Sequence, residues 1–223
     1  MNSKLRFALS DCSFARENGS SRDWVALYCS AFDKEERQPV ADVRELIAKG
    51  RIALFTARHH NKIIAFALVS LHNEQETQFA NLDFIAVCKD LRGKHGIGTK
   101  LVGFILERLR AEHPSFTSMT IEISRRGEPG LTPEEEEHRQ ARARFYSRLG
   151  ASQLDVDYYI LSFDDPNYRG PAEFWAIPLR QAAVKAQELV FNFYTSEAGY
   201  GLPADHVAVK EVMSQFIDES KGR

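Results

Sequence analysis

A cluster of glycine and basic residues lies where the sequence predicts the start of a helix. Between residues 92 and 100 the chain carries three glycines and three cationic side chains, namely Gly93, Gly96, Gly98, Arg92, Lys94 and Lys100. The N-terminus of a helix offers free backbone N–H groups and a partial positive charge, and glycines let an anion approach the backbone closely. Arginine and lysine add charge-assisted hydrogen bonds. The segment therefore predicts a loop that binds phosphate.

Two common nucleotide-binding loops fit this segment poorly. A Walker A loop has lysine before serine or threonine, whereas Thr99 precedes Lys100 here, so the lysine would not reach the β- and γ-phosphates. A Rossmann fingerprint requires a third glycine where this chain has Leu101, and the preceding strand belongs to a hairpin-rich region. A glycine-rich turn that begins a core helix and binds no ligand remains an alternative at this point.

Composition and charge narrow the classes of function. The 223 residues are 43% hydrophobic and 27% charged, as in an average soluble globular protein. The formal net charge is -2, which argues against a general nucleic-acid binder, because such proteins carry a basic excess. The longest apolar run, residues 63–71, is far shorter than the roughly 20 residues that span a bilayer. Three dispersed cysteines and an N-terminus without a long apolar core predict a cytoplasmic protein.

Hydrophobic periodicity predicts an alternation of helices and strands. Strands are expected at residues 4–9, 52–57, 62–71, 78–87, 118–124, 158–163 and 174–179. Helices are expected twice between residues 20 and 50, from the glycine loop to Pro114, and at residues 134–149, 181–194 and 206–217. This order predicts an α/β (α+β) fold with a mixed, mostly antiparallel central sheet flanked by helices, one crossover through the glycine loop and an extra C-terminal helical pair.

Two segments resemble sequence motifs of the GNAT superfamily of acyl-CoA-dependent N-acyltransferases. Residues 84–87 and 91–101 look like motif A, in which backbone N–H groups hold the pyrophosphate of coenzyme A. The loop is one residue longer than the family pattern, so either it bulges or Gly93 stands at the basic position instead of Arg92. Residues 143–151 are similar to motif B, although Arg139 stands where many members carry asparagine. The resemblance covers about residues 5–180 and implies the GNAT fold.

The resemblance also implies which residues bind the acyl donor. The expected cofactor-binding residues are Ile85, Ala86, Val87, Arg92, Gly93, Lys94, His95, Gly96, Ile97, Gly98 and Thr99. The loop would hold the pyrophosphate, pantetheine would pair with the strand edge before it, and a backbone N–H on that strand would stabilise the oxyanion. Tyr146 of motif B would protonate the leaving thiolate. Packing of Tyr146 between a helix and the sheet is the structural alternative.

Three acidic residues are candidates for the general base. An alkyl ammonium has a pKa near ~10.4, so the acceptor amine must lose a proton before it attacks a thioester. Glu122 lies mid-strand between Ile121 and Ile123, so alternation places its carboxyl group on the opposite face, where burial would raise its pKa. Asp83 interrupts an apolar strand, and Glu36 lies in the early helical region. We rank Glu122 first, Asp83 second and Glu36 third; a water chain, or a structural role for each acid, stays open.

The sequence supports two hypotheses of different classes. The first is an N-acetyltransferase with acetyl-CoA as co-substrate and no metal, in which the primary amine of a small-molecule or peptide acceptor attacks directly in a ternary complex. The second is a catalytically silent acyl-CoA-binding or interaction module of the same fold. We expect an acetyltransferase domain at residues 1–180 and a helical extension packed on it at residues 181–223, with a homodimer through that extension as the alternative. Neither nucleic acid nor a membrane is expected as a partner.

Overall fold

The computed structural model describes residues 9–74, 76–162, 168–181 and 185–219. In these ranges the strands are β1 (Cys12–Glu17), β2 (Ile52–His59), β3 (Lys62–His72), β4 (Phe79–Val87), β5 (Ser118–Ser124), β6 (Ser152–Gln153), β7 (Tyr158–Leu161) and β8 (Arg169–Pro178). The helices are α1 (Asp23–Ala31), α2 (Val40–Ala48), α3 (Ile97–Glu112), α4 (Pro133–Arg148), α5 (Ala186–Thr195) and α6 (Val207–Glu219).

The eight described strands form one mixed sheet. Their order is β1-β2-β3-β4-β5-β8-β6, and β7 pairs with the first part of β8. The neighbouring pairs are antiparallel except β4 and β5, which are parallel and are connected through α3. The predicted class, a mostly antiparallel mixed sheet flanked by helices, is therefore confirmed.

Helices cover both faces of the sheet. Alternation along β3 shows this, because Ala67 and Val69 pack with α3 and α4, whereas Phe66 and Leu68 pack with α1 and α2. The apolar stripe predicted for α3 is buried against the first of these faces. Helices α5 and α6 pack against β7 and β8 through a third cluster, which includes Phe174. The two helical pairs α1–α2 and α5–α6 therefore border the sheet at opposite ends.

The hairpin of β2 and β3 turns more tightly than its sequence suggested. The polar tip was expected to span four residues from Arg58, but only His60 and Asn61 form the turn, with φ of 47° and 64°. Positive φ at both central residues suits a two-residue turn that matches the twist of the strands. Arg58 continues β2, because a register shift after Ala57 lets it pair with Ile63.

The first strand of the sheet differs from the prediction. Residues 4–8 of the expected strand lie outside the described residues, and Leu9 begins a short 3-10 turn. The observed β1 starts at Cys12 and pairs with β2 at the edge of the sheet. Its alternation of polar and apolar residues gives no apolar run, which is why periodicity missed it. An edge strand of this kind is recognised only through its partner.

The last strands are also rearranged. Strand β8 begins at Arg169 rather than at residue 174, because its first residues pair with β7. The two-residue β6 was not predicted, since so short a strand carries no periodicity. Residues 163–167, which include much of the expected turn, and residues 182–184 of the expected helix lie outside the described residues.

Helix α4 begins with a complete capping box. The Thr132 hydroxyl accepts the backbone N–H of Glu135 at 3.2 Å, and the Glu135 carboxylate accepts the backbone N–H of Thr132 at 2.7 Å. Pro133 occupies the first turn, where its missing N–H costs no helical hydrogen bond. These interactions fix the start of the helix that carries the motif B residues.

Thr132→Ala is expected to reduce the free energy of unfolding by about 1 kcal/mol, because one free N–H of the first turn loses its acceptor. Chemical denaturation of the two proteins measures the difference. Thr132→Ser keeps the hydroxyl and should retain most of the stability. Equal losses in the alanine and serine variants would contradict a capping role.

Candidate active site

Strands β4 and β5 separate soon after they meet. Their parallel pairing is limited to Ala80 with Met119 and Asn81 with Thr120. Strand β4 then continues to Val87 and β5 to Ser124 without further pairing between them. Side chains from both strands line a cavity beyond the paired residues. The sheet is therefore open at its centre.

The open edge of β4 presents backbone hydrogen-bonding groups. Just after β4, the Cys88 N–H donates to the Ile64 carbonyl at 2.8 Å. Because hydrogen-bonded pairs alternate along an antiparallel ladder, Ala86 also bonds to β3. The peptide groups of Ile85 and Val87 consequently point the other way, toward the gap. They are available to an extended ligand and to a developing oxyanion.

The glycine loop forms a bare N-terminus for α3. Gly93, His95 and Gly96 all have positive φ, and Gly96 at φ +65° is the N-cap residue without a side-chain cap. A methyl group added at Gly93 or Gly96 would meet no described atom within 4 Å, so the backbone here is accessible. The first N–H groups of a helix have no intrahelical partner. The loop is thus suited to an anion such as a diphosphate.

The two predicted motifs contact each other. A methyl group added at Gly98 would lie 3.6 Å from the ring of Phe145, an ordinary van der Waals distance, so the start of α3 and the motif B part of α4 are neighbours. Tyr146 is buried in the same core cluster, and burial raises the pKa of its phenol to about 12. Arg142 lies close enough to counteract that effect in part. The phenol therefore keeps its proton at neutral pH.

The cavity between the helical pairs has a volume of about 740 Å³. Its wall includes Asp83 from β4, Glu122 from β5 and Tyr200 from the α5–α6 connection. The other charged lining residues are Glu36, Glu128, Arg139 and Arg142. Within the described residues, the glycine loop and Tyr146 lie outside this lining. The structure thus brings all three candidate bases to one cavity.

Asp83 occupies a β-bulge. Leu68 pairs with Phe84 and Val69 with Leu82, so Asp83 is an extra residue in β4 without an opposite partner. A bulge redirects a side chain and is often found beside functional sites. Here it turns a carboxyl group toward the gap in the middle of an otherwise apolar strand.

The two oxygens of Asp83 have different environments. Oδ1 accepts hydrogen bonds from Asn81 at 2.8 Å and from the Ser70 hydroxyl at 3.0 Å. Oδ2 is buried and has no hydrogen-bond partner among the described residues. Burial raises the pKa of Asp83 to about 7, and the negative charge of Glu122 acts in the same direction. Asp83 therefore has a free oxygen and a proton affinity suited to exchange near neutral pH.

Glu122 is held by two tyrosines. Its Oε1 accepts the hydroxyl of Tyr158 at 2.6 Å and that of Tyr200 at 2.9 Å. Its neighbours Ile121 and Ile123 pack on the opposite face, as alternation predicted. Burial raises the pKa of Glu122 to about 7, and the tyrosine hydrogen bonds oppose this effect.

Sequence reasoning missed several residues of this site. Tyr158 and Tyr200 are separated from Glu122 by 36 and 78 residues, and no sequence pattern links them. Ser70 was detectable as a buried polar interruption of an apolar strand. Arg139, at the position where asparagine was expected, lines the cavity and donates a hydrogen bond to the Arg125 carbonyl.

Comparison with known proteins identifies the family. Residues 21–127 match the model of the acetyltransferase (GNAT) family. The chain contains a GNAT acetyltransferase domain. A search of curated protein sequences found no match.

Solved structures share the GNAT fold at low sequence identity. A GNAT-family protein from Bacteroides thetaiotaomicron is 18% identical, with a TM-score of 0.64 over 84% of this chain and 98% of its own. Arabidopsis thaliana NAA60 in complex with acetyl-CoA is 13% identical, with a TM-score of 0.55 over 75% and 98%. An acetyltransferase from Elizabethkingia anophelis with acetyl-CoA bound is 12% identical, with a TM-score of 0.51 over 75% and 98%.

Two further features of the GNAT chain concern metals and membranes. The part of the chain that the structure describes holds no group of three or more His, Cys, Asp or Glu residues placed to bind a metal ion. Among the described helices, none combines the length and hydropathy needed to cross a membrane.

The two raised pKa values predict how the stability of this GNAT protein depends on pH. Asp83 and Glu122 bind a proton more tightly in the folded chain than in the unfolded one. Their contribution to the stability of the folded state is therefore fully present below their pKa values in the unfolded chain, 3.8 and 4.5. It is lost as the pH rises through about 7. Glu122→Gln should remove the part of this loss that Glu122 causes, because the amide does not titrate. From about pH 5 to about pH 8, the free energy of unfolding of the variant should therefore gain on the order of 2 kcal/mol relative to that of the wild type, since a tenfold change in proton affinity is about 1.4 kcal/mol.

Urea denaturation at the two pH values measures this gain. Glu137→Gln is the matched control, because Glu137 is exposed on α4 and contacts only the surface residue Arg144 among the described residues. It should follow the wild type at both pH values. A Glu122→Gln profile parallel to the wild type would show that the buried carboxyl group is not protonated preferentially in the folded state.

Proposed function

We propose that this protein transfers an acetyl group from acetyl-CoA to a primary amine by direct attack in a ternary complex. One observation carries the proposal: the gap between β4 and β5 has an anion-binding helix terminus after β4 and a cavity with two carboxyl groups beside it. A donor and an acceptor can therefore reach the same strand edge from two sides. The two structures of this fold that hold acetyl-CoA support the choice of donor.

The donor side of the site fits an extended thioester. The bare backbone N–H groups of residues 96–99 would hold its diphosphate, and Gly93 gives room for the approach. The exposed peptide groups of Ile85 and Val87 would pair with the pantetheine amides in the manner of an added strand. Acetyl-CoA would supply the reactive thioester carbonyl. An N–H on this edge would donate to the oxyanion that forms at that carbonyl.

Asp83 is the proposed general base. Its Oδ2 is free to take a proton from the acceptor ammonium, and its pKa of about 7 leaves a large ionised fraction at neutral pH. We prefer it to Glu122, ranked first from the sequence, because Asp83 lies on β4 two residues before the open edge that would bind the thioester, whereas Glu122 lies on β5. Glu122 instead contributes negative charge to the wall that faces a cationic amine.

Tyr146 is the proposed general acid. Its raised pKa keeps the phenol protonated at neutral pH, so it can donate to the sulfur as negative charge develops there. The amine nitrogen bonds to the thioester carbon and the carbonyl oxygen becomes an oxyanion; as this oxyanion collapses, the C–S bond breaks and the phenol proton passes to sulfur. The proton remaining on the attacking nitrogen then returns through solvent to the phenolate. The products are an amide and the free thiol, and Asp83 releases its proton to solvent.

The acceptor is proposed to be the primary amine of a small molecule or of a peptide. The cavity supports this because carboxyl groups and aromatic rings border it together, including Phe84 and Tyr200. Such walls hold an organic cation by charge and by ring contact. The cytoplasmic location, the absence of nucleic-acid and membrane partners, and the oligomeric state remain predictions from the sequence.

Gly96→Ala is expected to weaken acetyl-CoA binding roughly tenfold or more, because a side chain at φ +65° is strained and projects from the anion-binding loop. Isothermal titration calorimetry with acetyl-CoA measures the change. Gly103→Ala is the matched control, since Gly103 lies within α3 and an added methyl group meets no described atom there. Its dissociation constant should equal that of the wild type.

Two outcomes would contradict the proposal. If the wild type releases no heat with acetyl-CoA, the donor site is wrong. The second outcome is measured as release of free thiol in the presence of spermidine, tyramine, kanamycin and short peptides that carry a free N-terminus or lysine. If the protein binds acetyl-CoA tightly but releases thiol with none of these amines, the result favours the silent binding module over the enzyme.

Asp83→Asn and Tyr146→Phe should each lower kcat at an unchanged KM for acetyl-CoA. Loss of a general base typically costs about 10²–10⁴-fold. The loss of kcat in Tyr146→Phe should be smaller, roughly tenfold, because a thiol with a pKa near ~8.5 is an adequate leaving group without an acid. The wild-type rate should rise with pH through about 7 as Asp83 ionises, and this dependence should disappear in Asp83→Asn.

Steady-state kinetics over a range of pH values test both variants. Tyr159→Phe serves as the control for the phenol, because the Tyr159 ring lies under Arg125 and lines no part of the described cavity. An Asp83→Asn enzyme with wild-type kcat and an unchanged pH profile would exclude Asp83 as the base.

A further inference from the structure

A chain of buried hydrogen bonds leads from Asp83 away from the cavity. The Ser70 hydroxyl bonds to Asp83 Oδ1 at 3.0 Å and to His72 Nε2 at 3.0 Å. On the other side of the imidazole, His72 Nδ1 bonds to the Ser196 hydroxyl at 2.7 Å. We refer to Ser70, His72 and Ser196 as the serine–histidine chain. All three side chains are buried, and Ser196 lies 124 residues from His72 in the sequence.

The direction of each hydrogen bond in the chain is determined. An ionised Asp83 can only accept, so the single hydroxyl proton of Ser70 is donated to Oδ1. Ser70 Oγ must then accept from His72, which places the imidazole proton on Nε2. His72 Nδ1 is left as an acceptor for the Ser196 hydroxyl. Burial lowers the pKa of His72 to about 3, so the ring stays neutral and keeps this tautomer.

The imidazole is also fixed by packing. It stacks on Phe79 with ring centroids 4.3 Å apart and planes inclined by 1°, and Phe193 of α5 packs beside it. Stacking on Phe79, contact with Phe193 and hydrogen bonds through both nitrogens together hold the ring in one orientation. The serine–histidine chain is therefore a rigid connection between the end of α5 and the bulge in β4.

We propose that the serine–histidine chain positions Asp83, holding Oδ1 in place so that Oδ2 is presented to the acceptor cavity. The inference rests on the acetyltransferase function proposed above. The same short segment after α5 also carries Tyr200, whose hydroxyl binds Glu122. The C-terminal segment thus fixes the carboxyl groups on both sides of the gap, one directly and one through the serine–histidine chain.

Several other groups act on Asp83 and must stay constant in a test. The titratable and charged groups that face it or share its cavity are Tyr28 on α1, His72 on β3, Glu122 on β5, and Glu36, Glu128, Arg139, Arg142, Tyr168 and Tyr200 across the cavity. A substitution at Ser70 leaves each of these in place. It removes one donor to Oδ1, the Ser70 hydroxyl, and leaves the Asn81 amide and the Ser70 backbone N–H as donors to Asp83.

The test is a titration of Asp83 in the intact protein, followed by carboxyl ¹³C NMR and assigned by its loss in Asp83→Asn. Ser70→Ala removes a donor that favours the ionised form, so the midpoint should rise by about one pH unit. The apparent pKa of the acid limb of the kcat/KM profile should rise by the same amount, with KM for acetyl-CoA unchanged. Ser70→Thr restores a hydroxyl and should return both values toward the wild type.

Ser118→Ala is the matched control. Ser118 is also fully buried in the sheet, but its hydroxyl has no partner among the described residues, so its loss should move neither the midpoint nor the acid limb. His72→Phe keeps a ring against Phe79 while it removes both hydrogen bonds. It should raise the midpoint less than Ser70→Ala does, and it tests the chain even if the alanine variant fails to fold.

The two readouts separate this inference from the proposed function. An unchanged midpoint in Ser70→Ala and His72→Phe would overturn the positioning role, whether or not the enzyme turns over. A raised midpoint with an unchanged acid limb would uphold the positioning of Asp83 and would overturn its role as the base. Equal shifts in Ser118→Ala and Ser70→Ala would show a general effect of buried serine loss and would also overturn the inference.

Discussion

The separation of β4 from β5 is the constraint on which the site depends. Two parallel strands that pair at only two positions leave peptide groups on the inner edges without a strand partner. Backbone groups of this kind require other hydrogen-bond partners, which an extended ligand can supply. The bulge at Asp83 lies two residues after the last pair of β4 with β5, where it directs a carboxyl group into the opening.

Burial brings both carboxyl groups at the gap into the pH range of proton exchange. It raises each pKa to about 7, and the negative charge of Glu122 is a smaller cause in the same direction at Asp83. Each carboxyl group has one oxygen that accepts two hydrogen bonds, Oδ1 of Asp83 and Oε1 of Glu122. What distinguishes Asp83 is its place in the bulge of β4, two residues before the open edge at Ile85.

Local patterns predicted the parts of the structure that local interactions determine. The β5 strand, the apolar stripe of α3 and the start of α4 all follow from periodicity and capping residues in short windows. The edge strand β1 and the bulge at Asp83 did not, since each depends on a partner strand. The tyrosine partners of Glu122 could not be anticipated for the same reason. Tyr200 and Ser196 lie in an irregular connection, where spacing carries no information.

The family match ends at residue 127, yet much of the cavity wall comes from later residues. The matched segment supplies both carboxyl groups and the open strand edge, whereas the proposed acid Tyr146 lies beyond it on α4. Arg139, Arg142 and Tyr200 come from α4 and from the connection after α5, and they determine the shape and charge that an acceptor meets. Tyr200 and Ser196 also hold the two carboxyl groups, directly and through the serine–histidine chain. On the proposed function, a change in the C-terminal segment would therefore alter both the acceptor cavity and the placement of the base.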